Sequence, residues 1–382
     1  MRARPVVEKK TPPIFTAPAT PSSRPLQTFT AFPSSRLTIL GPRRVPPVKT
    51  PLGNGNKHVA LYTSTGFRNW PAADYPQRVA ALRPDVAIPL ADLPHSSATP
   101  PAKKLVRMVD RTEEWLEEFL RQRKADPRAA ADVALFAPVL PVERPIQWQY
   151  LEKLSDEVEA LSGLAVYDID MVPELREYPA LLSLPRLILQ TPRTPQELLR
   201  HIALGADMSL VPFINDASDA GTALSFTFPA PEPASSSSQA PLGSNLWAPE
   251  NKTDTRPFIE GCTCYACTKH HRAYLHHLLN ANEMLSWTLL QVHNHHVVTR
   301  FFEGVREVLA RGDDEFERAM DAFSRAYEPE MPAATGQKPR VRGYHFKSQG
   351  GEAKSNEKPW TNFEGEATGT KATSGLSAEM TG

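Results

Sequence analysis

Arg186-Leu-Ile-Leu-Gln190 is followed almost at once by Thr194-Pro-Gln-Glu-Leu-Leu-Arg200. The first run reads as a short strand. In the second, Thr194 can cap a helix, Pro195 suits the first helical position, and Glu197 closes a capping box. Ala206–Phe213 then reads as a strand again. The same alternation extends outward through Leu37–Leu40, His58–Thr63, Asp85–Pro89, Val133–Leu140 and Leu164–Asp168 as strands. Helices fall between most of them, at Ala102–Lys124 and Trp148–Leu161. Strand-helix alternation over this length predicts an α/β fold with a parallel sheet. The candidate strands approach the eight of a (β/α)8 TIM-type barrel. A doubly wound open sheet is the alternative, but no Gly-x-Gly-x-x-Gly follows any strand.

Composition bounds the rest. Formal charge is zero, with 43 basic and 43 acidic residues, which argues against a protein holding nucleic acid through a strong basic field of its own. No apolar run approaches the roughly 20 residues that span a bilayer, and no secretory apolar segment follows Met1. Proline is frequent, at 38 residues, and concentrates near the N-terminus and in one internal stretch. The expected organisation is an irregular Pro/Ser-rich segment over 1–35, barrel units over 36–228, a low-complexity insert over 229–247, a metal-binding subdomain with C-terminal helices over 248–328, and a disordered polar tail over 329–382.

All three cysteines lie within six positions, in Gly261-Cys262-Thr263-Cys264-Tyr265-Ala266-Cys267. Full pairing is impossible for three thiols, and a reducing cytosol is their natural compartment. The Cys-x-Cys-x-x-Cys spacing lets a tight turn aim three sulfurs at one point, which makes three corners of a tetrahedral zinc site. A histidine from the following segment would complete it, and positions 270, 271, 276, 277, 293, 295 and 296 are open to that role. His270 and His271 are cramped by closeness to Cys267, and His276 and His277 require a helix that folds straight back. Four protein ligands close the shell and leave no position for water, so such a metal is structural.

The run Gly261-Cys-Thr-Cys-Tyr-Ala-Cys-Thr-Lys-His-His-Arg-Ala-Tyr-Leu-His-His-Leu-Leu279, with Asn282-Glu283 and His293-Asn294 behind it, resembles the zinc signature of the tRNA-guanine transglycosylase family. The resemblance extends from about residue 26 to residue 327. It implies a (β/α)8 barrel carrying a zinc subdomain, here with first strands that look short or missing, as in an N-terminally incomplete barrel. It also implies His293 as the fourth ligand beside Cys262, Cys264 and Cys267.

Catalytic members of that family exchange guanine in tRNA through an aspartate that attacks the ribose C1′. Their motif, Asp-x-Phe-Asp-x-x-x-Pro-Thr-Arg-x-x-Arg-x-Gly, falls on Asp207–Gly221 without a gap. The nucleophile position is then Leu210, and the two arginine positions are Asp216 and Asp219. Leucine cannot attack an anomeric carbon, and acidic residues repel a phosphate backbone. No convincing Asp-Ser-Gly-Gly-Phe-Gln is present either. These departures resemble the family's non-catalytic branch, as do Ala80–Asp85, Val109–Arg111 and Gly221–Phe228. The resemblance therefore implies a chain with no catalytic residue and one structural Zn2+ per subunit. Its partner would be a catalytic queuine tRNA-ribosyltransferase subunit in a heterodimer that holds tRNA and exchanges guanine for queuine at the wobble position. The rival is an active transglycosylase with a displaced nucleophile, Asp216 or Asp219. Within this branch the expected location is the cytoplasm, or the outer mitochondrial surface. Helices from Arg272 to about Leu309 are the expected partner face, with Leu275, Leu278, Leu279, Leu285, Leu289, Val292, Phe301, Phe302 and Val305 as its apolar surface. Lys269, Arg272, Arg300 and Arg306 are candidates to touch phosphate.

Overall fold

A computed structural model describes residues 13–15, 24–42, 53–63, 66–93, 100–126, 132–231 and 239–333. The chain enters through helix α1 (Pro25–Thr30), strand β1 (Ile39–Leu40), strands β2 (His58–Thr63) and β3 (Gly66–Pro71), and helix α2 (Asp74–Leu82). It then alternates: β4 (Val86–Ala87), α3 (Ala102–Ala125), β5 (Ala134–Val139), α4 (Arg144–Asp156), β6 (Gly163–Val166), α5 (Pro179–Leu182), β7 (Arg186–Ile188), α6 (Pro195–Ala203) and β8 (Met208–Ser209). The remainder is α7 (Phe213–Asp219), β9 (Thr222–Leu224), β10 (Gly243–Asn245), α8 (Tyr265–Lys269), α9 (Arg272–Asn280), α10 (Met284–Leu309) and α11 (Asp313–Ala326).

Six strands pair in the order β1-β4-β5-β6-β7-β8, every pair parallel. Each ladder joins a strand to the next parallel strand along the chain, so helices return the backbone to the same end each time. This is the (β/α)8 TIM-type arrangement expected, curled through six strands. Among the described residues no ladder joins β8 back to β1 to close the ring. The strands are also shorter than their apolar runs, because Pro89 and the turn toward Phe213 end the ladders early.

His58–Thr63 is a strand but not a member of the parallel sheet. It pairs antiparallel with β3, from His58 opposite Pro71 to Thr63 opposite Gly66. A connection this short permits only an antiparallel return. The hairpin is fastened by side chains. Asn54 Oδ1 accepts from Ala60 N at 2.9 Å, and Asn54 Nδ2 donates to Asp92 Oδ1 at 2.6 Å. Arg111 pairs with Asp92 at 2.9 Å, and Trp115 Nε1 donates to Asn56 O at 2.9 Å.

The capping motif at α6 forms with one change. Thr194 Oγ1 accepts from Glu197 N at 3.3 Å, but the Glu197 carboxylate reaches Arg193 N, one residue before the cap. Helix α1 occupies part of the segment expected to be irregular. It is tied to the sheet by Asp85, whose carboxylate accepts from Thr38 N and Oγ1 at 2.7 and 2.8 Å and pairs with Arg24. Partial burial pushes the Asp85 carboxyl up, but the Thr38 hydrogen bonds and the Arg24 charge outweigh it and hold it below its ordinary value. A carboxyl depressed by folding stabilises fully above its unfolded pKa of about 3.9, and that contribution fades as pH falls through the lower folded value. Protection of the α1 amides against hydrogen exchange is therefore expected to weaken selectively in acid. Asp85→Asn should show the same weakening at neutral pH, and undiminished protection in that variant would sink the assignment.

Part of the low-complexity insert is ordered. Gly243–Asn245 pairs antiparallel with β9, and Ala240 bridges Tyr327; residues 232–238 lie outside the described residues. The expected tail over 329–382 lies mostly outside them too. Phe226 and Phe301 meet edge to face at 5.5 Å, joined by Phe213, Phe228 and Phe323 in one aromatic core against α10 and α11. Helix α10 approaches the Phe228 backbone closely at Gly304, where an added Cβ would overlap the Phe228 carbonyl oxygen and lie 2.7 Å from its carbon. Alanine favours a helix over glycine by about 1 kcal/mol. Even so, Gly304→Ala is expected to lose about 2 kcal/mol, because a backbone cannot yield as a side-chain tip does. Denaturant unfolding checks this, and a neutral or stabilised variant would refute it. Among the described residues no helix is long and apolar enough to cross a membrane.

Candidate metal centre

Gly261 makes the turn into the cysteine knuckle at φ +75°, a conformation that favours glycine. Cys264 then sits at the N-cap of α8, where its Sγ accepts from Cys267 N at 3.3 Å. Cys267, one turn into that helix, points its sulfur the same way. Behind α9 the chain reverses, and α10 carries His293 back to the knuckle, with its side chain fully buried.

His293 Nδ1 lies 3.8 Å from Cys262 Sγ, 3.5 Å from Cys264 Sγ and 3.4 Å from Cys267 Sγ. All four ligand atoms lie within 4.8 Å of one another. Bonds of about 2.3 Å to sulfur and about 2.05 Å to nitrogen at tetrahedral angles place sulfur and nitrogen about 3.6 Å apart. The three distances bracket that value. The residues thus lie close enough to hold one metal ion, and the donor set and spacing are compatible with zinc.

The second nitrogen is committed as well. His293 Nε2 lies 3.0 Å from Leu224 O, so a proton on Nε2 donated to that carbonyl leaves the Nδ1 lone pair facing the sulfurs. The Phe258 ring meets the imidazole edge to face at 5.4 Å. Burial disfavours the charged imidazole, yet without a metal the hydrogen bonds to Cys262 and Cys264 raise its pKa to about 9, so a metal ion binding at Nδ1 displaces a proton there. The Cys264 thiol is drawn well below the usual thiol range, first by the Cys267 thiol and then by His293 and the Cys267 amide, against the effect of burial.

Other candidate histidines are occupied elsewhere. His270 stacks on Tyr274 at 5.2 Å, and His271 Nδ1 caps α9 by accepting from Tyr274 N at 3.1 Å. His276 Nδ1 lies 3.0 Å from Leu246 O. His277 and His295 are exposed, and His296 is half-buried. Arg272 is not available to phosphate. Its Nε and Nη2 donate to Pro257 O and Phe258 O, both at 2.9 Å, and Nη1 pairs with Asp254 at 3.3 Å. The guanidinium thereby holds in place the segment that leads into the knuckle.

Two participants were not assigned roles by the sequence. Asn294, fully buried beside the ligand, accepts from Leu224 N at 2.8 Å and donates to Ser218 Oγ and Thr222 O, both at 3.0 Å. Its place in the His-Asn pair was the available signal. Leu224 contributes only its backbone, which leaves no trace in residue type. The apolar stripe proves to be mainly core, because Leu275, Leu278, Leu279, Leu289, Phe301 and Val305 are buried within the chain. Leu285 and Val292 stay exposed, and Phe302 is half-buried.

The family model for queuine tRNA-ribosyltransferase matches residues 17–329. The chain belongs to the queuine tRNA-ribosyltransferase family. Among relatives, it is 33% identical over 340 residues to the queuine tRNA-ribosyltransferase accessory subunit 2 of Schizosaccharomyces pombe, covering 88% of this chain and 74% of that one. Its identity to proteins of the same name is 30% in Culex quinquefasciatus and 31% in Danio rerio, over 66% of this chain each and 62% and 69% of theirs. In this queuine tRNA-ribosyltransferase family member, the knuckle, helix α10 and strand β9 form one unit around the metal-holding residues.

Proposed function

We propose that this chain is the non-catalytic subunit of a heterodimeric queuine tRNA-ribosyltransferase, and that it supports exchange of guanine for queuine at the wobble position of tRNA. The observation that carries this reading is Leu210. In a parallel barrel, chemistry gathers at the C-terminal ends of the strands. Leu210 directly follows β8, at the position where the family motif has its nucleophile, and offers only a hydrocarbon side chain. Asp216 and Asp219 belong instead to α7, beyond the turn at Pro212. Asp207, ahead of the strand, is engaged by Arg186 N and Nε at 2.8 and 3.2 Å.

The metal in this reading is one Zn2+ per subunit, held by Cys262, Cys264, Cys267 and His293. Zinc supplies a cross-link here and no chemistry, because four protein ligands leave no open position. We divide the chain into barrel units over 36–228 and a metal subdomain with C-terminal helices over 248–328. A cytoplasmic location suits the three free thiols.

The catalytic partner would dock on the exposed side of α10, where Met284, Leu285, Val292 and Leu309 remain in contact with solvent. Leu285→Asp combined with Val292→Asp is expected to weaken the heterodimer at least tenfold while leaving the subunit's own melting temperature within a degree or two. Analytical ultracentrifugation with the catalytic homologue tests this, and undiminished association would move the interface elsewhere. The function itself is tested by incorporation of labelled queuine into tRNA. The chain alone should incorporate none, and the mixture with its catalytic homologue should be active. Incorporation by the purified chain alone would overturn the reading in favour of an active enzyme using Asp216 or Asp219.

A further inference from the structure

Helices α2 and α3 flank a cleft of about 260 Å3, open to solvent on one side and outside the metal centre. Its walls are largely apolar, with Pro76, Val79, Ala80, Phe119 and Val133 among them. Val79, Phe119 and Val133 belong to the buried core, so the floor is fixed by packing. Among the described residues one cation lines this space, Arg123, near the C-terminal end of α3.

Arg123 is half-buried and makes no ion pair or hydrogen bond with any described residue. Burial pulls its guanidinium below the ordinary range, with no charge offsetting the loss of water. Asp126, on the exposed rim, has an interaction of its own. Gln122 is committed to Ala73 O at 3.0 Å. A guanidinium that has lost part of its hydration gains from a counter-charge. It is also a fork that matches a carboxylate. An apolar cavity of about 150 Å3 accepts benzene, so this one holds a ring with a short chain attached.

We propose that the cavity between α2 and α3 is a binding site for a small amphipathic carboxylate, its apolar body against Val79, Ala80 and Phe119 and its carboxylate on Arg123. The site is separate from the metal centre and from the partner face, and it does not depend on the subunit assignment. The probe is 3-phenylpropionate, compared with the neutral 3-phenylpropionamide, by calorimetry on the full chain. Saturable binding of the acid is expected, at least tenfold tighter than the amide. Arg123→Gln should remove that tenfold preference while leaving amide binding in place. Ala80→Phe should fill the cavity and abolish both, with thermal unfolding used to confirm that each variant is folded. Absence of saturable binding at millimolar acid overturns the proposal. So does equal binding of acid and amide, or an Arg123→Gln protein that keeps the preference.

Discussion

Replacing Cys264 by serine is expected to empty the metal site and to cost the protein more stability than any other single change considered. Structural zinc contributes on the order of 10 kcal/mol to the folding of small zinc modules. In a larger chain part of that is shared with the surrounding core, and a loss of about 4 kcal/mol or more is expected. The substitution is informative because Cys264 has two jobs. It is one of the four residues placed to hold a metal, and it caps α8 by accepting from Cys267 N at 3.3 Å. Serine is among the best N-cap residues, so Cys264→Ser keeps the cap and removes the thiolate. The loss then reports on the metal rather than on the helix. Elemental analysis should fall from about one zinc per chain to near zero, and chelation of the wild type should reproduce the destabilisation. A serine variant with full metal content and full stability would refute the zinc assignment.

The second large effect is expected at Asn294. Its amide satisfies Leu224 N, Thr222 O and Ser218 Oγ from a fully buried position. Asn294→Ala leaves the two backbone groups without partners, while Ser218 Oγ retains Ile214 O at 2.7 Å. An orphaned buried polar group costs about 1–3 kcal/mol, which predicts a total of about 3 kcal/mol. Asn294→Asp should be no better, since a carboxylate cannot donate to the Thr222 carbonyl. Because Leu224 O also orients His293, the alanine variant should bind zinc at least tenfold more weakly with all four ligands intact. Denaturant unfolding and a metal-competition titration measure the two effects. A loss below about 1 kcal/mol would show that water or a small rearrangement satisfies the orphaned groups.

How much of this was legible depended on how local the determinant was. The knuckle was readable because three thiols in six positions have few other uses. Residue chemistry left the fourth ligand open among seven histidines, and only the family resemblance singled out His293. Once the chain folds, the reason is plain: stacking, capping and backbone hydrogen bonds occupy His270, His271 and His276. The α6 cap was readable for the same local reason. Strand β10 was not, because Gly243-Ser244-Asn245 has no strand-forming character and is held by its partner β9. Hairpin strand β3 was not readable, because Gly66-Phe-Arg-Asn-Trp-Pro71 is bounded by glycine and proline and lacks a run of apolar alternation. The apolar stripe along α9 and α10 was ambiguous in kind, since helical spacing marks a buried face without saying whether the same chain or another covers it.

The stretch from Leu224 to Phe228 is moored to one helix at two points. Near its start, His293 and Asn294 grip the two backbone groups of Leu224, and at its end Phe228 lies against Gly304. Ten residues of helix span about 15 Å, and four residues of extended chain reach about 14 Å at most. The cord is therefore nearly as long as the rail it lies on, with little slack to redistribute. Shifting either mooring by one residue would strain the other, as in a vernier whose two scales must agree at both marks. On this geometry His293 and Asn294 at one end and Gly304 at the other set the register of the chain between the barrel and the C-terminal helices.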